Sequence, residues 1–273
     1  DKPLADEAAR RIAAPAINLC GRFSIPQLCR LLRRLDLLIT PDTGPMHIAA
    51  WLGTPILNLS MGPVNAWETA PFAPGHHVLR PHMSCAGCWA CPHQEPPCKR
   101  QMSAEKTTLV AQMLLEKQTH RLAALELQGL RLFTTWRDPF GLFELKPLDH
   151  VTPPRLQRSL YWKYFFGLHL GYLPKDAQNR LRSQADALRA SPLAPVALKA
   201  GQKLLQRLNT ALRGQGRGGM SAISKDDAWM DSPPISRPLS SYLQLLLRNA
   251  DFSPAALRQA LELTESHLGD LSA

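Results

Sequence analysis

The sequence predicts an α/β protein, with a parallel sheet over residues 1–117 and a mainly α-helical extension over residues 118–273. Three observations carry this. Leu37-Leu38-Ile39 and Ile56-Leu57-Asn58-Leu59 have the leucine-rich and β-branched character of strands covered on both faces. Helical patterns of about ten residues separate the strands, which implies right-handed crossovers and parallel pairing. Beyond residue 118 helical periodicity takes over, interrupted by Pro- and Gly-rich breaks.

The elements follow in order. Arg10 to Ala13 closes a first helix, Ala16 to Leu19 is expected as a strand, and Ile25 to Leu35 as an amphipathic helix. A strand at 36–40, a helix at 45–52 and a strand at 55–59 come next. Thr43 or Asp42 can cap that helix, Pro45 suits its first turn, and Gly53 ends it. After a loop, a strand runs from His77 to Leu79, then a cysteine-rich segment and a helix at 103–117. Leu122 to Trp136 holds a helix end and a strand, and Phe140 to Leu148 is strand-like or irregular. Helices are expected at 154–171, 175–190, 194–213, 238–249 and 254–269, the last opened by Ser253-Pro254. The stretch 214–234, GQGRGGMSAISKDDAWMDSPP, has linker composition. The opening DKPLADEAARRIAA reads as a helix already under way, so the chain is expected to be a carboxyl-terminal piece of a longer protein.

An apolar share of 45% with 20% charged residues excludes wholesale disorder. No apolar run approaches the roughly 18–20 residues that span a bilayer. The net charge of +10 permits attraction to sugar phosphates, acidic lipid or nucleic acid, or simply marks a basic solvated surface. No Lys/Arg block interleaved with aromatics occurs, so nucleic acid is not expected as a partner. Six cysteines, four of them between Cys85 and Cys98, do not form a secreted disulfide pattern, and the cytoplasm is the expected location. The aromatic run Leu160 to Phe166 reads as buried helix surface or, beside Arg155, Arg158 and Lys163, as a membrane-surface anchor.

Asp36 to Leu59 is the stretch richest in chemistry: DLLITPDTGPMHIAAWLGTPILNL. A strand feeds a helix through a Gly-containing turn, which leaves backbone N–H groups at the positive end of the helix dipole. A phosphate or diphosphate fits there. On spacing alone Asp42, Gly44 and His47 are equally a cap, a turn residue and a packed core residue. Gly62, Pro63, Asn65 and Thr69 follow in a loop at the carboxyl edge of the sheet, where ligands of open α/β sheets gather. Cys85, Cys88, Cys91 and Cys98 have the spacing C-x2-C-x2-C-x6-C, with His82 and His93 alongside. This suits structural zinc, resembles iron–sulfur spacing, and is also compatible with unliganded or redox-active thiols.

PDTGPMHIAAWLGTP resembles the Asp-Ser/Thr-Gly-Pro-x-His-x-Ala-Ala-x-x-Gly-x-Pro segment of the glycosyltransferase family that includes the lipopolysaccharide heptosyltransferases. The flanks NLCGRFSIPQLCRLLRRLDLLIT and MGPVNAWETAPF resemble the same family, over roughly residues 1–117. The resemblance implies the carboxyl-terminal, donor-binding half of a two-domain Rossmann-like (GT-B) transferase. Asp42, Thr43, Gly44, Pro45, His47, Gly62 and Pro63 would then bind the diphosphate and sugar of an ADP-heptose-like nucleoside-diphosphate-sugar. Val64 stands where family members often have threonine, which removes a hydroxyl from the phosphate side. The acceptor implied is of lipopolysaccharide type, at the cytoplasmic face of the inner membrane. The family's carboxylate base lies in its amino-terminal domain, so no catalytic residue is expected in this chain, which would bind nucleotide weakly without turnover. Catalysis would require no cofactor, and zinc on the four cysteines would be structural. The alternative from another class is a metal-stabilised scaffold whose helical extension engages a partner or membrane surface.

Overall fold

The computed structural model describes residues 2–62, 64–83, 85, 91, 93–149, 154–214 and 232–272. The chain divides into two compact units, residues 1–151 and 152–273.

The first unit is built on a five-stranded sheet in the order β1-β2-β3-β4-β5. Strands β1 (Leu38–Thr40), β2 (Ile56–Leu59) and β3 (His77–Pro81) are parallel, with Thr40 opposite Asn58 and Asn58 opposite Val78. Strands β4 (Leu130–Arg137) and β5 (Phe143–Pro147) continue the sheet antiparallel, and Arg131 lies opposite Arg80. The sheet is therefore mixed, not parallel throughout as the sequence predicts. Asp138 explains the β4–β5 reversal: its Oδ1 accepts from the amides of Phe140 and Leu142, each at 2.9 Å, and Gly141 takes φ +79°. The expected boundary at residue 117 falls inside this unit, because β4 and β5 complete the sheet.

Period-two alternation distributes the core. Leu57, Leu79 and Leu132 pack with Val110 and Met113 of α6 (Ala104–Leu115). Ile56 packs with Leu32 of α2 (Ile25–Leu32) and with Met46 and Ala49 of α3 (Gly44–Leu52). Val78, Phe133 and Leu145 cluster with Ala66 of α4 (Ala66–Thr69). Local signals define the helix ends. Gln27 Oε1 accepts from the Ser24 amide at 2.8 Å ahead of α2, and Gly53 at φ +76° closes α3.

Ala16 to Leu19 is not a strand. Extended backbone becomes strand only by finding a ladder partner, and Ile17 is 83% exposed. The preceding α1 (Lys2–Arg11) buries no residue. A short α5 (Pro97–Gln101) lies between β3 and α6.

The second unit contains α7 (Pro154–His169), α8 (Gln178–Arg189), α9 (Ala194–Arg213), α10 (Arg237–Asn249) and α11 (Pro254–Ser272). Four of the five expected helices agree closely in extent, and the expected 175–190 helix opens with a short 3-10 turn at Lys175–Ala177. The aromatic run is core: Tyr161, Trp162, Tyr164 and Phe165 are all buried, so these rings do not form a membrane anchor. The Tyr161 hydroxyl lies 2.8 Å from His267 Nδ1 and 3.1 Å from Asp270 Oδ2, which ties α7 to α11. Gly201 admits α11 against α9, since a Cβ there would sit 2.8 Å from Leu268 Cδ2. Most of the expected linker, residues 215–231, lies outside the described residues. No described helix is long and apolar enough to cross a membrane.

Candidate functional site

The candidate site forms where β1, β2 and β3 end, from the loops that leave them. After Thr40, the segment 41–43 leads into α3. Thr43 takes the N-cap position in extended conformation (φ −144°, ψ 162°), with Pro45 in the first turn. Its hydroxyl does not cap the helix. It turns back, 3.2 Å from Thr40 Oγ1 and 3.4 Å from the Pro41 carbonyl. The start of α3 is thus without a side-chain cap, at the positive end of the helix dipole. A Cβ at Gly44 would meet nothing within 4 Å, so the approach to this helix start is open space. Gly44 adopts no positive φ, and its value here is the missing side chain rather than a strained turn.

His47 is exposed on α3, one turn past Gly44, and Trp51 one turn further is 92% exposed. His47 is therefore a surface residue, not a packed one. Asp42 is half-buried. Its carboxyl is held by the Thr69 hydroxyl, which donates to Oδ1 at 3.2 Å, and by the Asn58 amide. Burial raises the Asp42 pKa above the ordinary carboxylate value, while the Asn58 and Thr69 hydrogen bonds and the Arg80 charge counter part of that rise. A carboxylate so anchored orients its neighbours or meets sugar hydroxyls; it is a poor neighbour for a phosphate.

Arg80 is the site residue that sequence reasoning missed. It is 6% exposed, on β3. Its guanidinium donates to Ser60 Oγ at 2.8 Å, to the carbonyls of Met61 (3.3 Å) and Gly62 (3.4 Å), and to that of Val64 (2.6 Å). One buried cation thus shapes the loop after β2 while offsetting Asp42 across the site. Asn58 was also missed. It is fully buried on β2, its amide donates to the Thr40 carbonyl at 3.3 Å, and its Oδ1 has no partner among the described residues. The available signal for both was a polar residue inside an otherwise apolar strand of a sheet covered on both faces.

Gly62 belongs to the same loop, and its backbone is backed by the cysteine segment: a Cβ at Gly62 would lie 2.8 Å from Cys98 Cβ and 3.0 Å from Cys98 Sγ. Pro63 lies outside the described residues, as does Cys88. Asn65 caps α4, accepting from the Trp67 amide at 3.3 Å. Cys85, Cys91 and Cys98 are free thiols, and no metal-sized group of three His, Cys, Asp or Glu occurs among the described residues. The predicted residues Asp42, Thr43, Gly44, Pro45, His47 and Gly62 all lie on the two loops leaving β1 and β2 and the start of α3.

Fold and site together define an α/β unit with an uncapped helix start at the carboxyl edge of its sheet, an arrangement that suits anionic ligands. Residues 1–99 match the profile described as glycosyltransferase family 9 (heptosyltransferase). Over that segment the chain is similar to the heptosyltransferases of glycosyltransferase family 9. It is 30% identical over 102 residues to lipooligosaccharide heptosyltransferase 2 of Campylobacter jejuni subsp. jejuni serotype O:2, covering 36% of this chain and 32% of the relative. It is 40% identical over 55 residues to the lipopolysaccharide core heptosyltransferase OpsX of Haemophilus influenzae, covering 20% of this chain and 16% of that protein. The matches cover less than a third of the length of these relatives. No solved structure matches the chain.

Proposed function

We propose that the first unit binds the nucleoside-diphosphate-sugar donor of a heptosyltransferase-type reaction. The diphosphate would sit at the start of α3, against the Gly44 amide, with His47 placed to offset charge on the departing nucleoside diphosphate. Asp42, fixed by Thr69 and Asn58, would meet sugar hydroxyls, and the Arg80-held loop with Gly62 and Pro63 would close the far side. The donor would be ADP-heptose-like and the acceptor of lipopolysaccharide type, at the cytoplasmic face of a membrane. The proton from the acceptor hydroxyl would go to a carboxylate outside this chain, so this chain alone would bind donor without turnover.

The observation that carries this reading is the uncapped start of α3 facing open space at Gly44, with a fixed carboxylate and a buried arginine beside it. Calorimetry with ADP and ADP-sugars on the wild type and on His47→Ala tests it. Loss of one charge-assisted hydrogen bond, about 1.5–3 kcal/mol, would weaken ADP by roughly tenfold or more. Equal affinity of the two proteins would sink the site assignment.

A further inference from the structure

Thr43 has the extended backbone of an N-cap residue, φ −144° and ψ 162°, so only a rotation about χ1 separates its hydroxyl from a cap on α3. A threonine in that position ordinarily accepts from an amide of the first turn. Pro45 has no amide to offer, so the available donor is Met46. In this chain the Met46 amide instead donates to the Thr43 carbonyl at 3.1 Å, and the hydroxyl makes no cap.

The residue that holds the hydroxyl away is Thr40, which ends β1 and is 8% exposed. A threonine hydroxyl carries one proton. That of Thr40 goes to the Pro41 carbonyl at 3.0 Å, which leaves the Thr40 oxygen to accept from Thr43 Oγ1 at 3.2 Å. Thr40 is itself fixed by the sheet, opposite Asn58, whose amide donates to the Thr40 carbonyl at 3.3 Å. Asn58 supplies the second observation. It is fully buried beneath the same turn and its amide also serves the Asp42 carboxyl, while its Oδ1 has no partner among the described residues. A helix start without its cap and a buried acceptor without a donor are both hydrogen-bonding capacity that proteins ordinarily use up. Together on one turn, they serve a ligand rather than the stability of the turn.

We propose that Thr40 is a positioning residue of the donor site: by accepting the Thr43 proton it keeps that hydroxyl off α3 and leaves the helix start to the diphosphate. The inference rests on the donor reading, which supplies the diphosphate. A capping hydroxyl would occupy the Met46 amide and set an oxygen at the positive end of the helix, so cap and ligand compete. A threonine cap biases such an equilibrium by roughly fivefold, and Thr40 removes that bias.

Calorimetry with ADP on the wild type, Thr40→Val, Thr43→Val and the double variant tests it. Valine keeps the branched shape and removes the hydroxyl. Thr40→Val should weaken ADP about fivefold while Thr43 is present, and less than twofold once Thr43→Val has removed the capping oxygen. Thr40→Ser, which retains the acceptor, should restore affinity to within twofold of the wild type. Without nucleotide, the Met46 amide should exchange with solvent several-fold more slowly in Thr40→Val than in the wild type, and at the wild-type rate in the double variant. Equal weakening in both Thr43 backgrounds would overturn the inference. So would an equal loss in Thr40→Ser, or a Met46 amide that exchanges at the wild-type rate in Thr40→Val. A wild type that binds no ADP would defeat the donor reading instead, and Met46 exchange, read without nucleotide, separates the two failures.

Discussion

Replacing Arg80 by methionine keeps the length and apolar stem of the side chain and removes the guanidinium. Two of its contacts, Ser60 Oγ at 2.8 Å and the Val64 carbonyl at 2.6 Å, are short; the Met61 and Gly62 carbonyls at 3.3 and 3.4 Å contribute less. A hydrogen bond from a charged donor contributes about 1.5–3 kcal/mol, and acceptors left buried and unpaired cost a further fraction of that. Relief of the arginine's own desolvation offsets part of the loss. We therefore expect a net destabilisation of about 3 kcal/mol, or roughly 6–12 °C in the melting of the first unit. The loop after β2 would loosen with it, so ADP affinity should fall about tenfold. Losing the Arg80 charge should also raise the Asp42 pKa further, because that charge now lowers it. Differential scanning calorimetry, ADP titration and carboxyl NMR read the three effects separately. Arg80→Lys should fall between, since an ammonium cannot fork to two acceptors in fixed geometry. Unchanged melting and unchanged ADP affinity in Arg80→Met would refute the claim that this residue holds the loop.

Gly62→Ala should destabilise the first unit by about 1–3 kcal/mol through contact with Cys98, and Gly62→Ala/Cys98→Ala should recover part of the loss; thermal melts of the two variants check this. Burial lowers His77 and His267 to about 4 and also lowers His76. These folded values lie below the unfolded 6.5, so the unfolded chain binds more protons in between. Stability is thus full above about pH 6.5 and is lost as pH falls toward 4, by about 3 kcal/mol for His267. The raised pKa of Asp270, due first to burial, offsets part of this in the second unit. Urea midpoints across that range measure it, and a flat profile would contradict the burial of these rings. Asp149→Asn removes the carboxylate charge that Arg131 holds at 2.6 and 2.9 Å, beside Arg80, which lies opposite Arg131 in the sheet. Because Asp149 is itself 43% exposed, a loss of about 1.5–3 kcal/mol is expected in chemical denaturation, and a change under 1 kcal/mol would count against it.

What the sequence revealed was local. Ser24 with Gln27, Pro45, Gly53 and Ser253-Pro254 act within a few residues of themselves, and the helices they bound were legible for that reason. The turn from Thr40 to Pro45 was legible in the same way, and the family resemblance supplied the ligand proposed for it. The missing pieces depend on partners far along the chain. Ala16 to Leu19 has strand composition but no ladder partner, which composition alone does not report. Arg80 gains its meaning from acceptors at Ser60 to Val64, and Asn58 from Asp42 and Thr40, across strands whose register is set by the whole sheet. The reversal after β4 hangs on Asp138 and Gly141, an Asx-type turn that falls between the two stretches to which the sequence pattern assigns structure, Leu122 to Trp136 and Phe140 to Leu148.

The central claim is that the open start of α3 accepts a diphosphate. The direct measurement follows the backbone amide resonances of a nitrogen-15-labelled chain during titration with ADP and, separately, with adenosine. The Gly44 amide should shift markedly with ADP and stay near its starting position with adenosine, because the diphosphate is what approaches it. A Gly44 resonance that ignores ADP, or that moves equally with adenosine, would contradict the account.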